Sequence, residues 1–182
     1  MATRGIRNNN PGNLRITNIG WKGKVPVSQN TDGAFEQFTS MVFGLRALMK
    51  DIINDYNFDG RRTIAQLIHE FAPPHENNTQ AYIDSVASHT GINPNFQFDL
   101  NADSLRKLTR AIINHENGVI PASQITDSQI NEAMGLLGPA WLLEEIVITA
   151  KKPTVWVPLL ILGAAIVGIA ATQKKKKSKN SK

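Results

Sequence analysis

Between residues 40 and 117 the apolar positions recur at three-to-four spacing, in stretches bounded by capping and helix-breaking residues. Ser40 can cap a helix over 40–56, with Met41, Leu45, Leu48, Ile52 and Tyr56 on its inner face and 57–60 ending it. A second helix starts at Thr63, turns Ile64, Leu67, Ile68 and Phe71 inward, and stops at Pro73 and Pro74. After the polar loop His75, Glu76 and Asn77, a third helix opens at Asn78 or Thr79, buries Tyr82, Ile83 and Val86, and ends at Gly91. A fourth runs over 102–117 with Leu105, Leu108 and Ile112 inward and Gly118 as its C-cap.

Residues 4–38 follow another pattern. Asn, Gly and Arg dominate 4–20, and Asn10-Pro11-Gly12 is a turn sequence. Leu14 and Ile16 alternate with Arg15 and Thr17 as in a short strand. Trp21, Val25 and Val27 continue extended to a turn at 30–33, and Phe35 and Phe38 close the region. The expected fold class is therefore α+β, mainly helical with a small β-rich region. Residues 130–149 are amphipathic but interrupted by Gly138 and Pro139. Residues 155–172, VWVPLLILGAAIVGIAAT, carry no charge and are followed by QKKKKSKNSK. Such a run makes about 27 Å of helix, long enough for a bilayer core. One C-terminal transmembrane helix is expected, with Pro158 in its first turn and Trp156 as an interfacial anchor. The expected divisions are a folded domain over 1–128, an amphipathic segment over 129–154, the span over 155–172 and a lysine-rich tail over 173–182.

Charge sharpens this division. The chain has 182 residues and a formal charge of +5, yet residues 1–150 hold 12 basic and 15 acidic side chains, a balance of about −3. The basic character belongs to lysines 151, 152, 174–177, 179 and 182, which suit the anionic surface of a lipid bilayer. The same charges also bind nucleic-acid phosphate in a salt-dependent way, the lesser expectation because lipid already accounts for them. There is no cysteine, which excludes disulfides and thiolate metal sites. The N-terminal MATRGIRNNNPGN lacks the apolar core of a secretory signal.

Carboxylate chemistry is what the residues leave open. His69, His75, His89 and His115 lack metal-site spacing, and no phosphate-binding glycine loop, GxSxG turn or Cys/His pair occurs. Neither metal nor cofactor is expected. Glu116 falls where the apolar stripe of the fourth helix ends, and desolvation together with the negative helix end there suits a general acid able to protonate a glycosidic oxygen. The plainer alternative is a rim glutamate that stays ionised. Glu76, between the proline break and a helix start, suits a base, an electrostatic stabiliser or a cap. Glu36, between Phe35 and Phe38, could reach a cleft, whereas Asp84 reads as a solvated surface group.

The series RGIRNNNPGNLR at 4–15, Trp21 and Gly23, FEQF at 35–38, GLRAL at 44–48, TIAQLIHEFAPPHENNTQAYIDSVA at 63–87 and HENG at 115–118 resembles a family of bacteriophage virion proteins. Members are described as structural proteins or as peptidoglycan hydrolases of lysozyme-like fold. The resemblance covers residues 4 to about 118 and implies that 1–128 is a lysozyme-like, peptidoglycan-active domain. A weaker likeness runs to flagellar-type glucosaminidases and lysozyme-like muramidases, whose Asn-rich NNLFGIK segment Asn10, Gly12 and Leu14 match. In those enzymes the catalytic glutamate precedes that segment, but here no acidic residue precedes Asp32. Glu116 would fill the position if the order of elements were permuted, which requires the ENG helix end to lie near the Asn-rich turn in space.

The implied activity is cleavage of the β-1,4 glycan linkage of peptidoglycan, as a muramidase or lytic transglycosylase, with Glu116, Glu76 and Glu36 as catalytic candidates. Asn9, Asn10, Asn13, Arg15, Asn77 and Tyr82 are the substrate-binding candidates, with Trp21 stacking on a sugar. With the expected span, the setting resembles phages with an internal membrane, whose proteins open the wall during genome delivery. The expected partners are peptidoglycan, the lipid bilayer and other virion membrane or capsid proteins. The expected location is the virion's internal membrane, and the bacterial inner membrane before assembly. The rival expectation is a non-enzymatic virion membrane protein with a glycan-binding or scaffold fold.

Overall fold

The helix boundaries follow from the caps. In the computed structural model, which describes residues 2–75, 78–138 and 141, Ser40 caps α2 (Met41–Asn57) by accepting from the Phe43 amide. Thr63 and Gln66 form a reciprocal capping box at the start of α3 (Ile64–Phe71). Asn78 caps α4 (Thr79–Thr90), which stops at a left-handed Gly91. Asn101 caps α5 (Ala102–Asn117), which stops at Gly118. Three short helices complete the described set: α1 (Arg4–Arg7), α6 (Val119–Ala122) and α7 (Asp127–Gly135). The chain divides into two units, Met1–Val147 and Ile148–Lys182, and every described residue lies in the first.

The amphipathic stripes meet in one core. Leu45, Leu48, Ile52 and Tyr56 of α2, Ile64, Leu67 and Ile68 of α3, Tyr82, Ile83 and Val86 of α4, and Leu105, Leu108 and Ile112 of α5 are all buried there. Helix α4 packs on α3 and α5, α2 on α5 and α7, and α1 against α5. Ile130 and Ala133 of α7 belong to this core, and Arg46 donates from Nε to the Leu136 carbonyl at 3.0 Å, tying α2 to the chain just after α7.

The expected α+β architecture is not what forms among the described residues. In place of a β-rich region, residues 13–38 contain two isolated antiparallel bridges, Arg15 with Phe35 and Lys24 with Phe38, plus a single 3₁₀ turn over Val27–Gln29. Side chains take over hydrogen bonds that a ladder would make. The fully buried Asn10 donates to the carbonyls of Leu14 and Glu36 and accepts from the Leu14 amide. Leu14, Trp21, Phe38 and Ala47 of α2 then close a second small core beneath this irregular segment. Residues 4–7, expected as part of a turn-rich stretch, are helical.

Among the described residues no helix is long and apolar enough to cross a membrane. The longest, α2, has 17 residues and carries Arg46, Lys50, Asp51 and Asp55. The stretch 155–172, the tail 173–182 and 142–154 lie outside the described residues.

Candidate functional site

An open cleft of about 770 Å³ lies among four parts of the fold. The turn from Gly12 to Arg15, together with Phe35, supplies one part; Asp51 and Asp55 of α2 supply the second. Glu70 and the segment that follows it to His75 supply the third, and Glu116 at the end of α5 supplies the fourth.

Glu116 is held on both carboxylate oxygens. Asn13 donates from Nδ2 to Oε2 at 2.8 Å, and the Tyr82 hydroxyl donates to Oε1 at 2.8 Å. Asn13 adopts a left-handed backbone at φ 48°, which aims its amide at a residue 103 positions away. Tyr82 is buried, and burial, followed by the charge and hydrogen bond of Glu116, holds its hydroxyl well above the usual phenol range. It therefore stays a hydrogen-bond donor to Glu116. His115 stacks on the Tyr82 ring at 3.6 Å between centroids and 14° between planes. Desolvation lowers its pKa, with Glu116 opposing, which favours the neutral imidazole.

Asn117 places Glu116 beside the Asn-rich turn. Its Nδ2 donates to the Pro11 carbonyl at 2.8 Å and to the Ile113 carbonyl at 3.0 Å, and its Oδ1 accepts from the Thr3 hydroxyl at 2.7 Å. Gly5 allows that approach, because a methyl group there would overlap Asn117 Oδ1. The end of α5 and the first turn of the chain are thus one rigid construction.

The α2 side of the cleft is crowded with negative charge. Burial, and then the carboxylates of Asp55 and Glu70, push Asp51 up to about 7, with Arg61 opposing. Burial pushes Asp55 up to about 6 against the pull of Arg61. Arg61 pairs with Asp55 at 3.5 Å, Asp59 at 2.6 Å and Glu70 at 2.8 Å, so this cation is shared among the neighbours of Asp51. Among the described residues no cluster of His, Asp and Glu has the arrangement of a metal site.

No family profile matches the chain. Protein P5 of Pseudoalteromonas phage PM2 is 37% identical to it over 124 residues, covering 66% of this chain and 74% of the phage protein. The chain belongs to the family of this phage protein. Membership in the P5 family supports a phage virion protein with a location in the virion; it carries no statement about catalysis or a membrane.

In this P5-family chain the predicted site residues divide. Glu116, Asn13 and Arg15 line the cleft, and Tyr82 reaches it through Glu116 from inside the core. The Arg15 guanidinium lies over the Phe35 ring, 5.3 Å from its centroid. Glu36, Asn9, Asn10 and Trp21 do not line it. Glu36 is fully buried, accepting from Lys24 Nζ at 2.7 Å and from the Thr17 amide at 2.9 Å. Asn9 donates to the Phe38 carbonyl at 3.0 Å, Asn10 is the ladder substitute described above, and Trp21 is core. Glu76 and Asn77 lie outside the described residues.

Sequence reasoning missed Asp51, Asp55, Glu70 and Asn117. The first two were detectable in part. They are acids four positions apart on a helix, each next to the buried stripe of Leu48 and Ile52, where charge is uncommon without a purpose. Asn117 gave no such signal, since a helix-end asparagine is ordinary.

Proposed function

We propose that this P5-family chain cleaves the β-1,4 glycan linkage of peptidoglycan, with Glu116 as an essential carboxyl group and the Asn13 turn as part of the glycan-binding wall. One observation carries the reading: the HENG helix end and the Asn-rich turn, far apart in sequence, meet through the Asn13–Glu116 hydrogen bond at 2.8 Å inside an open polar cleft. A cleft of this size accommodates a few sugar units, and a carboxyl group fixed by two donors is preorganised for reaction at an anomeric carbon. Cleavage proceeds by protonation of the leaving oxygen and attack on C1 by water, as in a muramidase, or by the sugar's own 6-hydroxyl, as in a lytic transglycosylase. With both oxygens accepting hydrogen bonds, Glu116 suits the part that takes a proton from the attacking hydroxyl or faces the developing positive charge. Peptidoglycan is the proposed partner, and the virion the proposed place of action.

The test is digestion of purified peptidoglycan by the full chain, with mass spectrometry of the released fragments. Anhydromuramic ends identify a transglycosylase; reducing ends identify a muramidase or glucosaminidase. Glu116→Gln should lower fragment release at least 100-fold at an almost unchanged melting temperature, about the contribution of one acid–base group. Full activity in that variant removes Glu116 from the chemistry. A second reading, a glycan-binding or scaffold virion protein without catalysis, is favoured by the burial of Glu36 away from the cleft. It predicts a folded chain that binds peptidoglycan and releases nothing.

A further inference from the structure

We propose that Asp51 is a second reacting carboxyl group of the cleft and supplies the proton to the departing glycosidic oxygen. This rests on the glycan-cleaving reading above. Asp51 stands on α2 and lines the same cleft as Glu116 on α5, so one substrate can meet both groups. Their surroundings differ in kind. Glu116 receives a donor on each oxygen, an environment that presents it as an acceptor. Among the described residues no donor reaches Asp51, and carboxylates surround it: Asp55 and Asp59 from its own helix and the loop beyond it, and Glu70 from the end of α3.

Other charged groups stand near it among the described residues. Arg61 is committed to Asp55, Asp59 and Glu70, while Arg15, His75 and Glu116 line the cleft without being among the charges that chiefly act on Asp51. Half-buried and ringed by like charge, Asp51 holds its proton up to about pH 7, whereas an exposed aspartate has lost it. Two carboxyl groups in one cleft with opposed surroundings divide into donor and acceptor.

The step balances with these two groups alone. The Asp51 proton moves to the glycosidic oxygen as the C1–O bond breaks, and its electron pair leaves with that oxygen as an alcohol. Water, or the 6-hydroxyl of the same sugar, forms the new bond to C1, and its proton passes to Glu116. Exchange with solvent resets both groups.

The experiment uses the full chain, with purified peptidoglycan as substrate, and compares the wild type with Asp51→Asn and Asp51→Glu across pH. Wild-type fragment release should fall above about pH 7 along a one-proton limb. Asp51→Asn should be at least 100-fold slower and lack that limb, and Asp51→Glu should recover part of the rate with the limb displaced. Melting is compared at about pH 5, where folded Asp51 and an amide are alike in charge and shape, so a variant that melts no lower than the wild type has lost chemistry and not folding. Carboxyl-carbon NMR of the wild type adds a reading that needs no activity: Asp51 should titrate near 7.

An active wild type whose Asp51→Asn variant keeps the same rate and pH profile overturns the role of Asp51 and leaves the cleft reading standing. A folded wild type that releases nothing from several wall types overturns the cleft reading and this assignment with it. Titration of Asp51 near 4, with or without activity, overturns the assignment alone.

Discussion

At the residue scale, Glu36 and Glu116 show how one side-chain type is given two roles. Both side chains accept more than one hydrogen bond. Glu36 has no exposed surface and faces Lys24, itself only 13% exposed, so the pair is an internal strut of the irregular segment. Glu116 opens on the cleft. Glu36→Gln would strand the Lys24 charge in a poorly solvated place, which costs about 3–5 kcal/mol where a buried pair is broken. Urea unfolding should therefore show a large loss of stability for Glu36→Gln, with fragment release per folded molecule retained. A Glu36→Gln chain as stable as the wild type would mean the ion pair contributes little.

At the scale of elements, the Asn-rich turn is shaped by its seat on α2. The Asn9 carbonyl comes so close to Gly44 that a methyl group there would overlap the oxygen, and Pro11 lies against the same point. Gly12 sits on the Leu48 side chain, less tightly but still closer than a methyl group would fit without a shift. Asn9 and Asn13, with φ of 50° and 48°, bend the chain over this contact. Helix α2 therefore serves both as the core's central helix and as the platform that sets the height of Asn13 relative to Glu116. Gly44→Ala should cost about 1–3 kcal/mol, in the range of overpacked sites. Where the variant folds, fragment release should fall by more than the folded fraction does, because the Asn13 amide is displaced. Thermal melting together with activity per folded molecule separates the two effects.

At the scale of the whole molecule, the crowded acids tie stability to pH. Asp51, pushed up to about 7, and Asp55, pushed up to about 6, both lie above the usual aspartate range, so the folded state holds protons that the unfolded chain releases. The stabilisation is complete below about pH 4 and is lost as pH rises through about 6 and then 7. Other groups add their own slopes, so the informative quantity is the difference between variants. Asp51→Asn should melt close to the wild type at about pH 3 and above it at about pH 8, by on the order of 1 kcal/mol or more after allowing for partial exposure. Equal melting at both pH values would show that Asp51 is not strained by its neighbours.

The sequence by itself determined the four main helices, their caps and their inner faces. Ser40, Thr63, Asn78 and Asn101 act within one turn of themselves, and a three-to-four apolar spacing has one way to hide its stripe. It also marked Glu116, through the end of an apolar stripe beside a glycine cap. The segment over 13–38 misled because Leu14, Ile16, Trp21 and Val25 carry strand-like spacing, while the hydrogen bonds that would make a sheet go instead to Asn10 and Glu36, which only folding brings inside. Tertiary structure alone decided that Asn13 and Tyr82 converge on Glu116, that Glu36 turns inward to Lys24, and that Asp51 and Asp55 stand in the same cleft. The physical reason is range. Caps and periodicity are local properties of the chain, whereas the solvation and charge of a carboxyl group are set by neighbours as far as 103 positions away.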